Sequence, residues 1–376
     1  MPRILVADDQ PDILQALRWL LADAGFDTDL VTSVDAAVDR LGETTFDLVL
    51  MDLNYSRDTT SGREGLALLD RVVAVDRMLP VVVMTGWGTI ETAVEAMRRG
   101  ARSYVQKPWD DATLVEVVRR EVDAGRAGRR RDATLAREHE EARLIQRALL
   151  PSTIPTVPGC DIAAKWTSAS GLGGDCYDLL RLGDSRLAVS IADVIGKGLP
   201  AALLMSNLQA AVRAFATPAA SPHEVCANVN RLLCRNVSPG KFVTFCYVVI
   251  DLAAGEITYA NAGHNPPIVV RRSGEQTRLE PTGLVLGVMP DWTYRAGRTR
   301  FAAGDRLVCF TDGLTEARSP DDEEFGEDRL QAALAKLPAQ SASALVASLI
   351  ESAQAWTGGD LQDDATLIVI DLLDSA

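Results

Sequence analysis

Four acidic turns recur in the C-terminal part of the sequence. "GLGGD" sets Asp175 behind a glycine turn, with Asp178 three residues on. "LAVSIADVIGKG" ends an apolar run at Asp193, with Lys197 in the turn that follows. "LVCFTDGLTEA" ends another at Asp312, and "LQDDATLIVI" opens one with Asp363 and Asp364. A lone Asp-Gly is an ordinary turn residue pair. Four acidic turns on separate strands are different, because a fold that joins them crowds several carboxylates into one volume. Like charges at close range raise one another's pKa, and a divalent cation reverses that penalty. All-oxygen donors suit a hard ion, Mg²⁺ or Mn²⁺. Two such ions about 3.5–4 Å apart would activate a water for in-line attack on a phosphate ester, with Asp193 expected to bridge them. Asp175, Asp193, Asp312 and Asp363 are therefore the candidate catalytic residues. The chain has three histidines, His139, His223 and His264, so a histidine-based scheme has few candidates.

A second constellation lies near the N-terminus. Asp8, Asp9, Asp52, Thr85 and Lys107 each follow a short apolar run. In parallel α/β sheets, ligands gather outside the carboxyl ends of the strands. Three acids there would hold Mg²⁺ through oxygen. Asp52 could accept a phosphoryl group as a nucleophile, with Thr85 and Lys107 bonding its oxygens.

The elements needed to position these groups are legible. "RILVA", "DTDLV", "FDLVLMD", "PVVVMTG" and "SYVQKP" read as strands, alternating with helical stretches such as "PDILQALRWLLADAG" and "TIETAVEAMRRGA". That alternation predicts a doubly wound, five-stranded parallel sheet over residues 1–124. From Asp110 the pattern predicts a helix, a Gly-interrupted basic hinge and a second helix. Leu135, Ala142 and Leu149 fall at heptad spacing with Ile145 on the adjoining stripe. Residues 125–155 are thus expected to form a helical connector, either a short coiled coil that would make the chain a homodimer or a solvated spacer whose apolar side packs on the second domain. "PSTIPTVPG" ends it. Residues 156–376 predict an α+β domain, a two-sheet β-sandwich flanked by helices.

Bulk composition narrows the function. The 376 residues exceed one typical domain. A formal net charge of -14 argues against nucleic acid as a partner. No run approaches the ~18 apolar residues of a membrane span, and none of the six cysteines forms a CxxC pair. A reducing cytoplasm and no membrane are the expectation.

Residues 1–124 resemble a response-regulator receiver domain, on "DD" at 8–9, "LVLMD", "MTG" at 84–86 and "KP" at 107–108. The resemblance implies that a sensor histidine kinase supplies the phosphoryl group of Asp52. It also implies that Asp9, Asp52 and the Asn54 carbonyl bind Mg²⁺ beside Asp8, and that Thr85 and Tyr104 switch together. The stretch "NYSRDTTSGREG" is longer than usual for that family and is expected to reshape the mouth of the site.

Residues from about 160 resemble the metal-dependent serine/threonine phosphatases of the type 2C superfamily, in the bacterial branch that controls sporulation and stress sigma factors. "GGDCYD", "ADVIGKG", "NAGHNPP", "TDGLTEA" and "DDATLIVI" carry the likeness. It implies that Asp193, Asp312, Asp363 and the Val194 carbonyl hold Mn²⁺ or Mg²⁺, with Asp175 on the second ion. Asp178, Asp364 and Lys197 are supporting candidates. Lys197 stands where this branch often has histidine, and either contacts substrate phosphate or faces solvent. The implied substrate is a phosphorylated anti-sigma-factor antagonist, and the implied control is phosphorylation of Asp52. The alternative is a phosphatase-like scaffold that grips its partner without turnover.

Overall fold

The computed structural model describes residues 1–55, 62–86, 90–169, 171–237, 240–336 and 340–374. The expected reshaping of the mouth after Asn54 falls on residues 56–61, outside the described residues. The chain divides into two compact units, Met1–Arg137 and Glu138–Ala376.

In the first unit the strands are β1 (Arg3–Ala7), β2 (Asp27–Val31), β3 (Leu48–Asp52), β4 (Val81–Thr85) and β5 (Ser103–Gln106). They alternate with helices α1 (Pro11–Asp23), α2 (Val34–Glu43), α3 (Arg63–Val75), α4 (Ile90–Arg98) and α5 (Asp111–Leu149). The sheet order is β2-β1-β3-β4-β5, all parallel. Its strands are near-continuous apolar runs because both faces are covered. Leu5, Ala7, Val49, Met51, Val81 and Val83 pack on one face with Leu68 and Leu69 of α3. Ile4, Val6, Leu50, Val82 and Met84 pack on the other with Leu17 of α1 and Val118 of α5.

The expected hinge in the connector is absent. Asp111–Leu149 is one helix of 39 residues that runs through Gly125 and Gly128. Those glycines mark close approaches. A Cβ on Gly125 would lie 2.5 Å from Cγ of Pro80, and one on Gly128 would lie 3.1 Å from Cε of Met78. The basic residues beside them are anchors: Arg126 grips Asp47 through two bonds of 2.8 and 2.9 Å, and Arg129 reaches Asp76 at 2.7 Å. Residues 131–140 are exposed all round the helix.

The second unit is a two-sheet sandwich with helices outside both sheets. Its strands are β6 (Cys160–Thr167), β7 (Cys176–Arg181), β8 (Arg186–Val194), β9 (Val243–Asp251), β10 (Glu256–Ala262), β11 (Ile268–Val270), β12 (Gln276–Arg278), β13 (Gly297–Arg300), β14 (Arg306–Phe310) and β15 (Ala365–Leu372). Its helices are α6 (Leu199–Phe215), α7 (Pro222–Asn236), α8 (Asp312–Thr315), α9 (Gly326–Lys336) and α10 (Ala342–Thr357). One sheet has the order β13-β10-β9-β8-β7 and the other β12-β11-β14-β15-β6, both antiparallel. Period-2 alternation sends Val308, Phe310, Leu367 and Val369 toward α10, and Leu307, Cys309, Ile368 and Ile370 toward the first sheet. Among the described residues no helix is long and apolar enough to cross a membrane.

Candidate active site

In the receiver unit the sheet delivers the predicted residues to one edge. Asp8 follows β1, Asp52 ends β3, Thr85 ends β4 and Lys107 follows β5. Carboxylate oxygens of Asp8, Asp9 and Asp52 lie within 4.8 Å of one another. Lys107 Nζ donates to Asp8 Oδ2 at 2.7 Å and Asp52 Oδ2 at 2.9 Å. Burial holds the Asp52 carboxyl above its usual range, with the Lys107 charge opposing part of that rise. Asp9 Oδ1, Asp52 Oδ1 and the Asn54 side-chain oxygen are buried and have no hydrogen-bond partner among the described residues. Orphaned oxygens of this kind fit a hard divalent cation. Thr85 is buried and Tyr104 is exposed.

In the second unit the sandwich draws acids from both sheets. Asp175 leads into β7 and Asp193 is the penultimate residue of β8, its neighbour. Asp312 opens α8 directly behind β14, and Asp363 and Asp364 lead into β15, which pairs with β14. Hydrogen bonds join the two sheets at this end. Oδ2 of the fully buried Asp175 accepts from Thr311 Oγ1 at 2.6 Å and from Thr366 Oγ1 at 2.7 Å.

The glycines of the acidic turns are required by close approach. A Cβ on Gly174 would meet the Val194 carbonyl at 2.6 Å and Asp193 Oδ1 at 3.2 Å. One on Gly173 would overlap the Asp364 carboxylate, and one on Gly313 the Asp364 carbonyl. The opening turn is glycine-rich because a strand end and two acids lie against its backbone.

Charge repulsion follows from this packing. Burial, then the charges of Asp312, Asp363 and Asp364, push the Asp193 carboxyl up to about 7. Asp312 is raised by burial and by Asp363. Asp175 is held well above the usual carboxylate range, by burial first and Asp193 second. These acids interact over longer gaps than those of the receiver, and among the described residues only the receiver trio converges within 4.8 Å. Lys197 Nζ lies 2.9 Å from Asp363 Oδ2 and donates to the Gln362 carbonyl at 3.1 Å. The carboxylate and carbonyl donors fit a hard divalent cation.

Two supporting candidates have definite partners. Asp178 is buried on β7, bonded by Arg213 of α6 at 2.6 Å and by the Leu179 N–H at 3.0 Å. It pairs there with that arginine. Asp364 accepts from the Ala169 N–H at 3.0 Å and the Gly174 N–H at 2.9 Å, so it ties the glycine turn in place. His264 is buried in a corner, with Nδ1 2.8 Å from Thr244 Oγ1 and its backbone N–H donated to Asn261 Oδ1. The sequence reading missed Thr311 and Thr366, which hold Asp175, and Glu316, whose charge also raises Asp193. Glu316 and Thr311 flank the Asp312 turn, and a partner search around each acid would have found them.

Comparison with known proteins finds relatives of both parts of the chain. Residues 183–373 match the family described as stage II sporulation protein E (SpoIIE), and residues 4–119 match the response regulator receiver domain. Phosphoserine phosphatase RsbU of Bacillus subtilis is 34% identical over 234 residues, 62% of this chain and 69% of the relative. Protein IcfG of Synechocystis is 33% identical over 225 residues, 52% of this chain and 35% of the relative. The solved RsbU and RsbW domains of Rv1364c from Mycobacterium tuberculosis superpose with a TM-score of 0.52 at 29% identity, covering 61% of this chain and 64% of that one. The SiaA-PP2C domain of Pseudomonas aeruginosa gives 0.58 at 20% identity, covering 65% and 98%, a likeness of fold. With a receiver ahead of its acid-lined sandwich in the sequence, the chain belongs to the SpoIIE family and is a protein phosphatase.

Proposed function

We propose that the second domain hydrolyses phosphoserine or phosphothreonine on a partner protein, an anti-sigma-factor antagonist, and that phosphorylation of Asp52 by a sensor histidine kinase controls it. One observation carries the reading: acids from both sheets of the sandwich meet at one end, and burial and mutual repulsion raise Asp175, Asp193 and Asp312. A scaffold has no need of such a cost. The phosphoserine phosphatases RsbU and RsbP of Bacillus subtilis, 34% and 29% identical, support the substrate class.

Asp193, Asp312, Asp363 and the Val194 carbonyl would hold the divalent ions, with Asp175 on the second, and Asp8, Asp9, Asp52 and Asn54 would hold Mg²⁺ in the receiver. Bound between such carboxylates, divalent ions make water a nucleophile at neutral pH and neutralise charge on phosphoryl oxygens. The chain's own groups prepare the place. Thr311 and Thr366 fix the Asp175 carboxylate, and Asp364 pins the glycine turn beside it. Lys197 carries a half-exposed ammonium beside Asp363, suited to an incoming phosphate. In the receiver, Lys107 holds Asp52 facing the strand ends, where its free Oδ1 would take the phosphoryl group. Exposed Leu135 and Ile145 on α5 support pairing with a second copy of the chain.

The test is hydrolysis of p-nitrophenyl phosphate and of a phosphoserine protein by the full chain, with and without Mn²⁺. Turnover should need the ion and fall at least 100-fold in Asp193→Asn and Asp312→Asn. A chain that binds its partner but turns nothing over would establish the scaffold instead.

A further inference from the structure

Past Asp193 the chain lines a groove outside the acid site. Val194 and Ile195, Pro200 and Leu203 of α6, Val237 behind α7 and Lys241 ahead of β9 border a hollow of about 370 Å³. Helix α6 buries Ala201, Ala202, Met205 and Leu208 against the domain. Leu199 and Leu203, one turn apart, lie off that buried face and are 43% and 64% exposed. The surface continues past Gly287, where a Cβ would lie 3.6 Å from the Lys241 carbonyl and 3.7 Å from Val237. Val288 and Met289, both half-exposed, follow it.

Position and charge say what would cover such a groove. Its near end is the acid site, since Val194 directly follows Asp193 and its carbonyl lies against the glycine turn. A segment that presents a phosphoseryl side chain to those acids has its neighbouring residues, spaced about 3.3 Å apart when extended, within reach of the groove. Two lysines flank the Gly196 turn there. Lys197 is committed to Asp363. Lys241 Nζ donates to the Ile195 carbonyl at 3.3 Å, and a Cβ on Gly196 would lie 2.7 Å from it. Lys241 is exposed and pairs with no carboxylate among the described residues. In a chain of net charge -14, an unpaired ammonium at this rim favours an acidic neighbour over a basic one. The adjacent leucines, left in water, gain by taking up an apolar side chain.

We propose that this groove docks the segment of the substrate protein that carries the phosphoserine. An apolar side chain of that segment lies against Leu203 and Val237, and an acidic one next to the phosphoserine pairs with Lys241. Leu203 and Lys241 thereby determine which phosphoserine is chosen. The inference rests on the phosphatase reading of the acid site and adds the chemistry of the chain around the phosphate.

The experiment uses the full chain with Mn²⁺ and short phosphoserine peptides on a glycine-serine background. One pair of peptides carries leucine or serine at the second to fourth positions on both sides of the phosphoserine. The other pair carries aspartate or lysine directly beside it. Each preference is read as a ratio of kcat/KM values, so that any loss of folded protein cancels. Wild type should prefer leucine over serine and aspartate over lysine, each at least tenfold. Leu203→Gln should bring the leucine preference within twofold of none and keep the aspartate preference, and Lys241→Gln should do the reverse. Leu373→Gln, an exposed leucine past the end of β15 remote from Asp364, should keep both. Absence of either preference in wild type would overturn the proposal, as would variants that retain them. A Leu203→Gln chain that changes only its oligomeric state in sedimentation would also overturn it, because the groove would then seat a second copy of the chain. A wild type that hydrolyses neither the peptides nor p-nitrophenyl phosphate refutes the phosphatase reading. Fluorescence anisotropy of the same peptides, labelled, then judges the groove by the same two preferences in binding, and their absence there overturns it as well.

Discussion

At the scale of single residues, the same side-chain type carries opposite roles according to what faces it. Asp178 and Asp175 are three positions apart and both buried, yet Asp178 is neutralised by a guanidinium while Asp175 shares its surroundings with other acids. Removing the guanidinium should therefore cost stability and leave chemistry alone. Arg213→Met strands the Asp178 carboxylate with the Leu179 N–H. Because Arg213 is itself half-exposed, the loss should be ~2 kcal/mol, below the 3–5 kcal/mol of a fully buried pair. Urea unfolding measures it, and kcat should stay within threefold of wild type; a large drop in kcat would return Asp178 to the active site. His264 gives a second prediction. Burial pushes its imidazole down to about 4, against about 6.5 in an unfolded chain. Between those values the unfolded chain takes up a proton that the native chain refuses, so stability falls as pH drops from about 6.5 to about 4. At about 1.4 kcal/mol per pH unit the loss is ~3 kcal/mol. His264→Gln should flatten that part of the stability curve, and a parallel curve would count against the buried neutral histidine. Strand-end acids could be read from the sequence because apolar runs announce where strands stop. The division between a paired acid and a repelled one could not, since Arg213 lies 35 positions from Asp178 and Thr366 lies 191 from Asp175.

At the scale of elements, the connector shows how a local signal misleads when a distant partner decides. Glycine in a helix reads as a break because it costs about 1 kcal/mol relative to alanine. Gly125 and Gly128 are instead the points where α5 passes close to Pro80 and Met78, 45 and 50 positions earlier in the chain. Nothing near residue 125 in the sequence signals that contact. The two sites should respond differently to alanine. In Gly125→Ala the new methyl meets the rigid ring of Pro80 at 2.5 Å, and overpacking of 1–3 kcal/mol outweighs the propensity gain. In Gly128→Ala the neighbour is the flexible end of Met78 at 3.1 Å, which can shift, so the propensity gain of about 1 kcal/mol should survive. Urea unfolding of the two variants should move the receiver's transition in opposite directions; equal shifts would mean that packing does not set these glycines. The parallel sheet was more legible, because buried strands alternating with amphipathic helices leave few arrangements. The pairing of ten strands into two sheets was not, since antiparallel order depends on contacts between remote strands.

At the scale of the whole chain, α5 is shared property. Its first half carries the anchors to Asp47 and Asp76, its last turns carry Gln146, which bonds the Gly173 carbonyl, and between them residues 131–140 are exposed on every side. A solvated helix that length has no packing to preserve except its own backbone ladder. If it transmits a change of state, it does so by rotating or shifting as one rod, and the phase between its two ends matters. Each residue of an α-helix turns the axis by about 100°. Two residues inserted after Ala136 would rotate Gln146 by about 200° relative to Arg129, and seven would bring it within about 20° of its original phase. The prediction concerns the ratio of turnover with and without beryllofluoride, a phosphoryl mimic for Asp52. Wild type should give a ratio different from one, in whichever direction control runs. The two-residue insertion should bring it to one, and the seven-residue insertion should restore most of the wild-type response. Mn²⁺ affinity should hold in both insertions, because the helix end that holds Gly173 folds with the second unit. A two-residue insertion that responds like wild type would exclude the rod, and would mean that the receiver acts without the phase of α5.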